Sequence, residues 1–213
     1  MPKATRTLPD FSIESEISNG NQLSVAGVDE VGRGTLAGPV VAAAAVLPGS
    51  VPFEYAGLVN DSKMLSAAQR QRSFDWLITW CVTYGVGAST ADEIDSMGIV
   101  PATKLAMSRA IAALDPQPEH LIIDAVELSS VSIPQTAIIR ADSRSQSVAA
   151  ASIIAKVTRD KLMADVFDTE YPGYGFAAHK GYGTAIHMSA LKELGASPIH
   201  RRSFKPVRDV LDH

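Results

Sequence analysis

Four acidic residues stand where hydrophobic stretches of the sequence end, and an unpaired carboxylate is costly to bury in such places. Asp29 and Glu30 follow Val-Ala-Gly-Val, Asp124 follows Leu-Ile-Ile, and Asp142 follows Ile-Ile-Arg-Ala. Parallel neighbouring strands would bring these groups to one edge of a sheet. Asp29 and Glu30 are adjacent, so both share a site only if their strand twists or ends there. Four carboxylates without cysteine or paired histidine favour Mg²⁺ or Mn²⁺ over zinc.

Two such ions a few ångströms apart can activate a water and stabilise the leaving oxygen of a phosphodiester. This chemistry needs no covalent nucleophile. The sequence contains neither the Gly-x-x-x-x-Gly-Lys-Ser/Thr pattern of P-loop proteins nor the Gly-x-Ser-x-Gly pattern of serine hydrolases. Taken singly, each acid could equally cap a turn or a helix, but all four together predict a metal-dependent site.

Residues beside glycines are candidate substrate contacts. In Gly32-Arg33-Gly34, backbone N–H groups could approach a sugar or phosphate closely, and Arg33 adds a cation. Lys63 follows a serine and is a candidate phosphate contact, whereas Tyr182 lies between two glycines, where an exposed ring can stack on a sugar or base. An ordinary β-turn or loop packing explains each pattern as well, so none of them predicts a function alone.

The composition is that of a chain able to bury one core. It has 213 residues, of which 46% are hydrophobic and 20% charged, and no apolar run approaches the roughly 20 residues of a membrane-spanning helix. The single cysteine, Cys81, excludes an internal disulfide and a cysteine-based zinc site. No secretory signal is visible at the N-terminus, so we expect a cytoplasmic protein without a membrane partner.

The net charge of −4 does not favour nucleic-acid binding, because contacts to the phosphate backbone rely on Lys and Arg. Binding would therefore require a local basic patch. The C-terminal part offers one in Lys180, His200, Arg201, Arg202, Lys205 and Arg208. A solvated basic tail explains the same residues equally well.

Helical and strand patterns alternate along the chain, which predicts an α/β layered domain. We predict two strands within 23–47, a helix over 66–82 capped by Ser66, and a strand in Val-Thr-Tyr-Gly-Val-Gly. Helical sequence begins again at Thr90 and is expected to break at Pro101; two short strands and a long helix over 147–167 follow. Residues 1–22 are interpreted as a polar leader and 23–213 as a single catalytic domain, with a substrate-facing segment at about 171–213.

Six segments together closely resemble the ribonuclease HII family in order and spacing, over about residues 24–208. They are VAGVDEVGRGTLAGPVVAAAAVL, NDSKMLS, LIIDA, RADSRSQSVAAASIIAKVTRD, HKGYGT and SPIHRRSFKPV. The resemblance implies a ribonuclease H-like fold, with a mixed five-stranded sheet flanked by helices and a C-terminal helical segment that helps to hold a duplex. It implies an endoribonuclease that cuts the RNA strand of RNA–DNA hybrids and nicks duplex DNA 5′ of embedded ribonucleotides, with roles in ribonucleotide excision and RNA primer removal.

The same resemblance assigns roles to residues. Asp29, Glu30, Asp124 and Asp142 look like the family's catalytic metal ligands, which hold two Mg²⁺ or Mn²⁺ ions in the active complex. Gly32, Arg33 and Gly34, with Tyr182, look like the elements that recognise the ribose 2′-hydroxyl, the group that distinguishes RNA from DNA. Tyr182 would stack on the next deoxyribose, and Lys63 resembles a phosphate-contacting lysine.

The sequence departs from the family pattern at three small or peripheral positions. Ala125 and Ala141 stand where the family often has glycine, and Gly98 stands at a usual asparagine position. Family members act mainly as monomers, and some carry a C-terminal motif for a DNA sliding clamp. This chain ends in VLDH without a glutamine-led clamp motif, so clamp binding is not predicted.

Three alternatives were weighed against this interpretation. Ribonuclease HIII carries an additional N-terminal domain, but only about 23 residues precede the first predicted strand here. A binding module that had lost its chemistry would not be expected to keep all four acids. A protein that binds metal only for stability would bind the ion without cleaving nucleic acid. The sequence leaves open which metal is physiological, which acid binds which ion, and whether single ribonucleotides or long hybrids are preferred.

Overall fold

The structure is a computed structural model that describes residues 8–55 and 57–212. The strands are β1 (Val25–Val31), β2 (Val40–Val46), β3 (Thr83–Ser89), β4 (His120–Asp124) and β5 (Gln135–Ile138). The helices are α1 (Ser12–Ser18), α2 (Ala67–Trp80), α3 (Ala91–Met97), α4 (Ile99–Ala112), α5 (Gln146–Lys161), α6 (Asp168–Glu170), α7 (Phe176–His179), α8 (Ala185–Leu194) and α9 (Lys205–Leu211). Short 3-10 turns span Phe53–Tyr55, Ser62–Met64 and Ala141–Ser143, and a π-helical turn spans Leu162–Phe167. Within the described residues, no helix is both long and apolar enough to cross a membrane.

The five strands form one mixed sheet, as the resemblance implied, and their order is β3-β2-β1-β4-β5. β1, β2 and β3 are antiparallel neighbours, whereas β1, β4 and β5 run parallel. In the parallel part, Val28 pairs with Ile123, so the chain leaves β1 and β4 at the same edge of the sheet. This edge is where the predicted acids lie.

Each face of the sheet is covered by helices that lie very close to it. On β2, Ala42 and Ala44 belong to the core beneath α4, whereas Ala43 and Ala45 belong to the core beneath α2 and α5. Gly27 allows α5 to lie against β1, because a Cβ there would be 2.1 Å from the carbonyl carbon of Ser147. The alternation of small residues along the strands therefore fixes how closely the helices approach.

Two predicted boundaries differ from the structure. Pro101 does not break a helix: it lies in the first turn of α4, where a backbone N–H has no intrahelical acceptor and a proline is tolerated. The break falls at Gly98, which has φ +85°. β5 ends at Ile138, so Asp142 lies beyond the strand on the Ala141–Ser143 turn.

The segment predicted as a polar leader, residues 1–22, contains α1. Residues 1–7 lie outside the described residues, but α1 packs on the domain through Ile13 and Ile17. Glu14 is buried, and its Oε1 accepts hydrogen bonds from the hydroxyls of Ser145 and Ser147 and from the Ser147 N–H. A carboxylate at the N-terminus of α5 is favoured by the helix dipole, so this segment is bound to the domain.

The C-terminal helical segment is confirmed, and Tyr174 and Phe176 are packing residues in it. Their rings stack at a centroid distance of 5.3 Å. The predicted basic patch is corrected, because His200 and Arg201 are fully buried and contribute no charge to the surface. A buried basic side chain has the same local sequence pattern as an exposed one.

Candidate active site

Asp29 and Asp124 lie side by side on neighbouring parallel strands. Val28 pairs with Ile123, so the residues that follow them reach the same level at the edge of the sheet. Asp29 is 6% exposed, and its Oδ1 accepts a 2.8 Å hydrogen bond from the Glu30 N–H. Asp124 Oδ1 accepts a 3.0 Å hydrogen bond from the Ala141 N–H. The two carboxylates are therefore held by backbone donors at adjacent strand ends.

Glu30 lies one residue beyond Asp29 and forms an ion pair with Arg33 in the following turn. Arg33 Nη1 lies 3.2 Å from Glu30 Oε1, and the Arg33 side chain is 45% exposed. In register, Glu30 stands opposite Ala42, whereas Asp29 stands opposite Ala43. The two carboxylates thus start from opposite faces of β1, as the strand geometry required, yet the charge of Glu30 raises the pKa of Asp29.

Asp142 forms an ion pair with Lys63, which lies on a neighbouring turn. Its carboxylate is buried, and Lys63 Nζ lies 3.8 Å from Asp142 Oδ2. Lys63 sits on the Ser62–Met64 turn, which Asp61 caps by accepting a hydrogen bond from the Lys63 N–H. The Lys63 side chain is 81% exposed, so its ammonium group remains accessible to a ligand.

The four acids form one electrostatic unit. Burial raises the pKa of Asp29 well above its usual value, and the negative charges of Glu30 and Asp124 raise it further, while a hydrogen bond from Ser152 on α5 opposes both. Burial also raises the pKa of Glu30 and of Asp142, and the charge of Asp124 adds to both shifts. Clustered carboxylates whose ionisation is disfavoured in this way would gain from a nearby cation.

The donor set suits a hard divalent ion, because the cluster is made of carboxylate oxygens. Within the described residues, however, no three His, Cys, Asp or Glu side chains are already gathered closely enough to enclose an ion. The charge distribution therefore fits a divalent cation, whereas the ligands are not assembled into a closed cage.

The Gly32-Arg33-Gly34 turn follows β1 directly, beside Glu30. Gly32 has φ +90°, and a Cβ there would lie 2.2 Å from Nε of Arg159, so only glycine fits. A Cβ on Gly34 would meet nothing within 4 Å, and Arg33 and Gly34 are both exposed. The turn thus has one side packed on the protein and one side open.

Tyr182 stands on the neighbouring loop, with 43% of its surface exposed and Lys156 Nζ 5.8 Å from its ring centroid. This loop is joined to the first one because the Leu36 N–H donates to the Gly181 carbonyl at 2.8 Å. The loop that carries Tyr182 is therefore held against the loop that follows the glycine turn, consistent with the joint role that the resemblance implies.

Buried histidines hold the Tyr182 backbone. Nδ1 of His187 lies 2.9 Å from the Tyr182 carbonyl, which can only accept, so His187 donates through Nδ1 and accepts through Nε2. Nε2 of His200 must then donate to it across 2.9 Å, and Nδ1 of His200 accepts from Ser197. Both rings are neutral in this row of hydrogen bonds. Burial agrees with this, because it lowers the pKa of His187. It also lowers the pKa of His200, to about 4.

Sequence reasoning missed several residues that support the site. Ser152 touches Asp29 from α5, and Arg159 and Arg201 lie fully buried beneath the glycine turn. Only the buried position of Ser152 on a helix with strong apolar periodicity could have suggested its role. Nothing local distinguishes the two arginines from surface residues.

The sequence model of the ribonuclease HII family matches residues 26–207 of this chain. A curated ribonuclease HII from Chloroflexus aurantiacus is 54% identical over 207 residues, covering 96% of this chain and 97% of the relative. The crystal structure of ribonuclease H2 from Pyrococcus horikoshii OT3 superposes with a TM-score of 0.70 at 30% identity, covering 89% of this chain and 98% of that one. The PCNA:RNase HII complex from Archaeoglobus fulgidus contains a chain with a TM-score of 0.71 at 27% identity, covering 86% of this chain and 96% of that one.

A match across nearly the full length of both chains, together with the fold and the cluster of acids at the sheet edge, leaves one assignment. The chain belongs to the ribonuclease HII family of endoribonucleases, which act on RNA–DNA hybrids and on ribonucleotides embedded in duplex DNA.

Proposed function

We propose that Asp29, Glu30, Asp124 and Asp142 bind two divalent cations, Mg²⁺ or Mn²⁺, and form the catalytic centre of this endoribonuclease. The observation that supports this most directly is that Asp29, which is 6% exposed, and Asp124 lie at the ends of neighbouring parallel strands. Burial and the charges of Glu30 and Asp124 accordingly raise the pKa of Asp29. When bound, two such ions lower the pKa of an attacking water and stabilise the charge on the leaving oxygen of a phosphodiester. Hydrolysis then leaves a 3′-hydroxyl and a 5′-phosphate.

The protein groups position and screen the reacting strand. Lys63 lies beside Asp142 with its ammonium group exposed, so it can contact a phosphate oxygen as a point charge. Asp124 accepts from the Ala141 N–H and so fixes the turn that carries Asp142. Ser152, on α5 beside Asp29, lowers the pKa of that carboxyl and so opposes the effect of burial.

We further propose that the surface formed by Gly32, Arg33, Gly34 and Tyr182 recognises a ribonucleotide, and that the strand is cut on the 5′ side of that ribonucleotide. The exposed turn can offer backbone N–H groups to a 2′-hydroxyl, and a deoxyribose has no oxygen there to accept them. The Tyr182 ring is exposed on the adjoining loop, where it can stack on the following sugar. This pairing accounts for a preference for RNA-to-DNA junctions.

Further expectations from the sequence remain proposals. We propose a single catalytic domain over 23–213 whose segment from about 171 faces the duplex, a monomeric protein and a cytoplasmic location. The C-terminal sequence carries no glutamine-led hydrophobic motif, so we do not expect sliding-clamp binding, although the Archaeoglobus fulgidus relative was solved with PCNA. The biological roles proposed are ribonucleotide excision and removal of RNA primers.

The decisive experiment uses a labelled DNA duplex with one ribonucleotide, an all-RNA strand paired with DNA, and an all-DNA duplex. Each is incubated with Mg²⁺, Mn²⁺ or EDTA, and the product ends are mapped. We expect a metal-dependent nick 5′ of the single ribonucleotide and no cut in the all-DNA duplex. Binding of the first two substrates without cleavage in either metal would instead indicate a nucleic-acid-binding module.

Variants separate the proposed site from a trace nuclease in the preparation. Asp29→Asn should abolish the nick, whereas Asp75→Asn should leave it unchanged. Asp75 is an exposed residue of α2, and among the described residues its side chain bonds only Gln71 in the same helix. Wild-type turnover by Asp29→Asn would show that the metal site lies elsewhere.

A further inference from the structure

Two arginine side chains are completely buried beneath the loop that follows β1. Arg159 and Arg201 each have 0% exposure, and within the described residues neither lies within ion-pair distance of a carboxylate. Burying a charge without an acid partner is costly unless its donors are fully satisfied. The position of these side chains therefore requires a structural reason.

Backbone carbonyls supply that reason. The Arg201 guanidinium donates to the carbonyls of Gly32 (2.6 Å), Arg33 (2.8 Å) and Gly38 (2.9 and 3.0 Å). Arg159 donates to the carbonyls of Ala37, Pro39 and Lys180 and to the hydroxyl of Thr35. Several backbone carbonyls of the loop from Gly32 to Pro39 thus point inward, towards the guanidinium groups of Arg159 and Arg201.

Carbonyl direction determines the direction of the next N–H. The cis peptide of the described residues is Asp115–Pro116, so the bonds after Gly32 and Arg33 are trans. In a trans peptide the C=O and the following N–H point in opposite directions. Because Arg201 pulls the Gly32 and Arg33 carbonyls inward, the N–H groups of Arg33 and Gly34 must point outward.

The outward N–H groups meet open space. Arg33 and Gly34 are exposed, and a Cβ on Gly34 would meet no atom within 4 Å. Neither N–H donates a hydrogen bond within the described residues. Two parallel, unpartnered donors on a rigid turn form a site for an acceptor oxygen.

We propose that Arg201 is a positioning residue for ribose recognition, which aims the N–H groups of Arg33 and Gly34 at the 2′-hydroxyl by fixing the two preceding carbonyls. The inference rests on the proposed role of the 32–34 turn. Arg159 extends the arrangement by holding the Lys180 carbonyl, two residues before Tyr182, so the two cations tie both recognition loops together.

Arginine is required for geometric reasons. Its planar fork presents donors in several directions, whereas a lysine ammonium is a single point on a flexible stem. Lysine at 201 would keep the charge but could not hold three carbonyls in their present directions. Arg201→Lys therefore tests whether the direction of the turn's N–H groups matters, while the positive charge at this position is kept.

The test compares Arg201→Lys with wild type in Mg²⁺. One measurement is kcat/KM on the duplex with a single ribonucleotide, and the other is the inhibition constant of an unlabelled all-DNA duplex of the same sequence. A misplacement of about 1 Å can cost on the order of 100-fold in rate. We expect kcat/KM to fall at least ~10-fold, with a rise in KM. The inhibition constant of the all-DNA duplex should stay within about two-fold of wild type, because that duplex offers no 2′-hydroxyl.

A matched control is Arg109→Lys. Arg109 lies on α4 and also donates to a backbone carbonyl, that of Ala88, and to Glu93. Its replacement should leave both kcat/KM and the inhibition constant unchanged. If Arg201→Lys retained wild-type kcat/KM, or weakened all-DNA binding in the same proportion, the positioning role would be overturned. If wild type itself cut the single-ribonucleotide duplex no better than its 2′-O-methyl counterpart, the proposed function of the turn would fail instead.

A second variant covers the case in which Arg201→Lys does not fold. The Thr35 hydroxyl donates to the Gly32 carbonyl at 3.0 Å, so Thr35→Val removes a weaker restraint on the same peptide without removing a cation. We expect the same pattern with a smaller fall in kcat/KM. A folded Thr35→Val protein with unchanged kcat/KM, beside an unfolded Arg201→Lys protein, would reduce Arg201 to a stabilising residue and overturn the proposal.

Discussion

The Asp124 carboxylate and the Ala141 backbone are joined by a 3.0 Å hydrogen bond between Oδ1 and the N–H. This bond connects the end of β4 to the turn that carries Asp142, immediately after Arg140, which adopts a left-handed conformation with φ +57°. One acid of the candidate site thus fixes the backbone that presents another. Charge and geometry at Asp124 can therefore be tested separately.

Asp124→Asn should lose activity and keep the turn. The amide oxygen of asparagine can still accept from Ala141, whereas the negative charge is gone, so we expect kcat/KM to fall more than ~100-fold. The melting temperature should change little. Asp124→Ala removes the acceptor as well, so it should be equally inactive and less stable by about 1–3 kcal/mol because a backbone donor loses its partner. Equal stability of the two variants would contradict the structural role of this bond.

The pH dependence of the metal-free protein tests the raised pKa of Asp29. The folded-state pKa of Asp29 is raised by burial and by Glu30 and Asp124, so its contribution to stability is present below the usual carboxylate pKa and is lost as pH rises through the raised value. The buried His187 and His200, whose pKa values are lowered, act in the opposite direction over the same range in wild type and in Asp29→Asn alike. We therefore expect the melting temperature of wild type in EDTA to fall relative to that of Asp29→Asn between pH 4 and pH 7. Added Mg²⁺ should reverse this fall, by about 2.7 kcal/mol at a concentration 100 times its dissociation constant.

The Asp29→Asn protein provides the control for this titration. One charge of the cluster is removed, so its melting temperature in EDTA at pH 7 should exceed that of wild type, by about 2–4 °C for each 1 kcal/mol of repulsion relieved. Its response to Mg²⁺ should be smaller. A lower melting temperature than wild type under these conditions would argue against mutual repulsion in the cluster.

Lys63→Gln should weaken substrate binding without weakening the fold. Lys63 is 81% exposed and lies 3.8 Å from Asp142, so the pair contributes little to stability. If Lys63 neutralises a phosphate, its loss should lower affinity for all duplexes and reduce the slope of log Kd against log salt by about one. Fluorescence anisotropy across a salt series measures this slope. An unchanged slope would exclude a phosphate contact.

Tyr182→Ala should reduce the preference for junctions more than it reduces metal binding. The ring is 43% exposed and contributes little to the core, so the melting temperature and its response to Mg²⁺ should be retained. The ratio of kcat/KM for the single-ribonucleotide duplex over the all-RNA hybrid should fall by about 5–150-fold, the equivalent of a stacking contact of about 1–3 kcal/mol. Tyr182→Phe keeps the ring and should retain the ratio.

The chemistry of the site could be predicted from local sequence. Asp29, Glu30, Asp124 and Asp142 end hydrophobic stretches, and acids in that position are informative because burying a charge needs compensation. The α/β class followed from alternating periodicities, and Ser66 was correctly predicted as the cap of α2, where it forms a capping box with Gln69. Each of these signals lies within a few residues of the feature that it predicts.

Tertiary structure alone decided how the recognition loops are held. Arg201 lies 168 residues from Arg33 in sequence, and Glu14 lies 131 residues from Ser145, yet each pair is directly hydrogen bonded. A buried arginine that binds carbonyls has the same local sequence signature as a solvated one, because its partners are backbone atoms that every residue possesses. The sequence by itself determined which groups could perform the chemistry. The long-range packing decided which backbone N–H groups point outward, since peptide direction is set by contacts that no local pattern encodes.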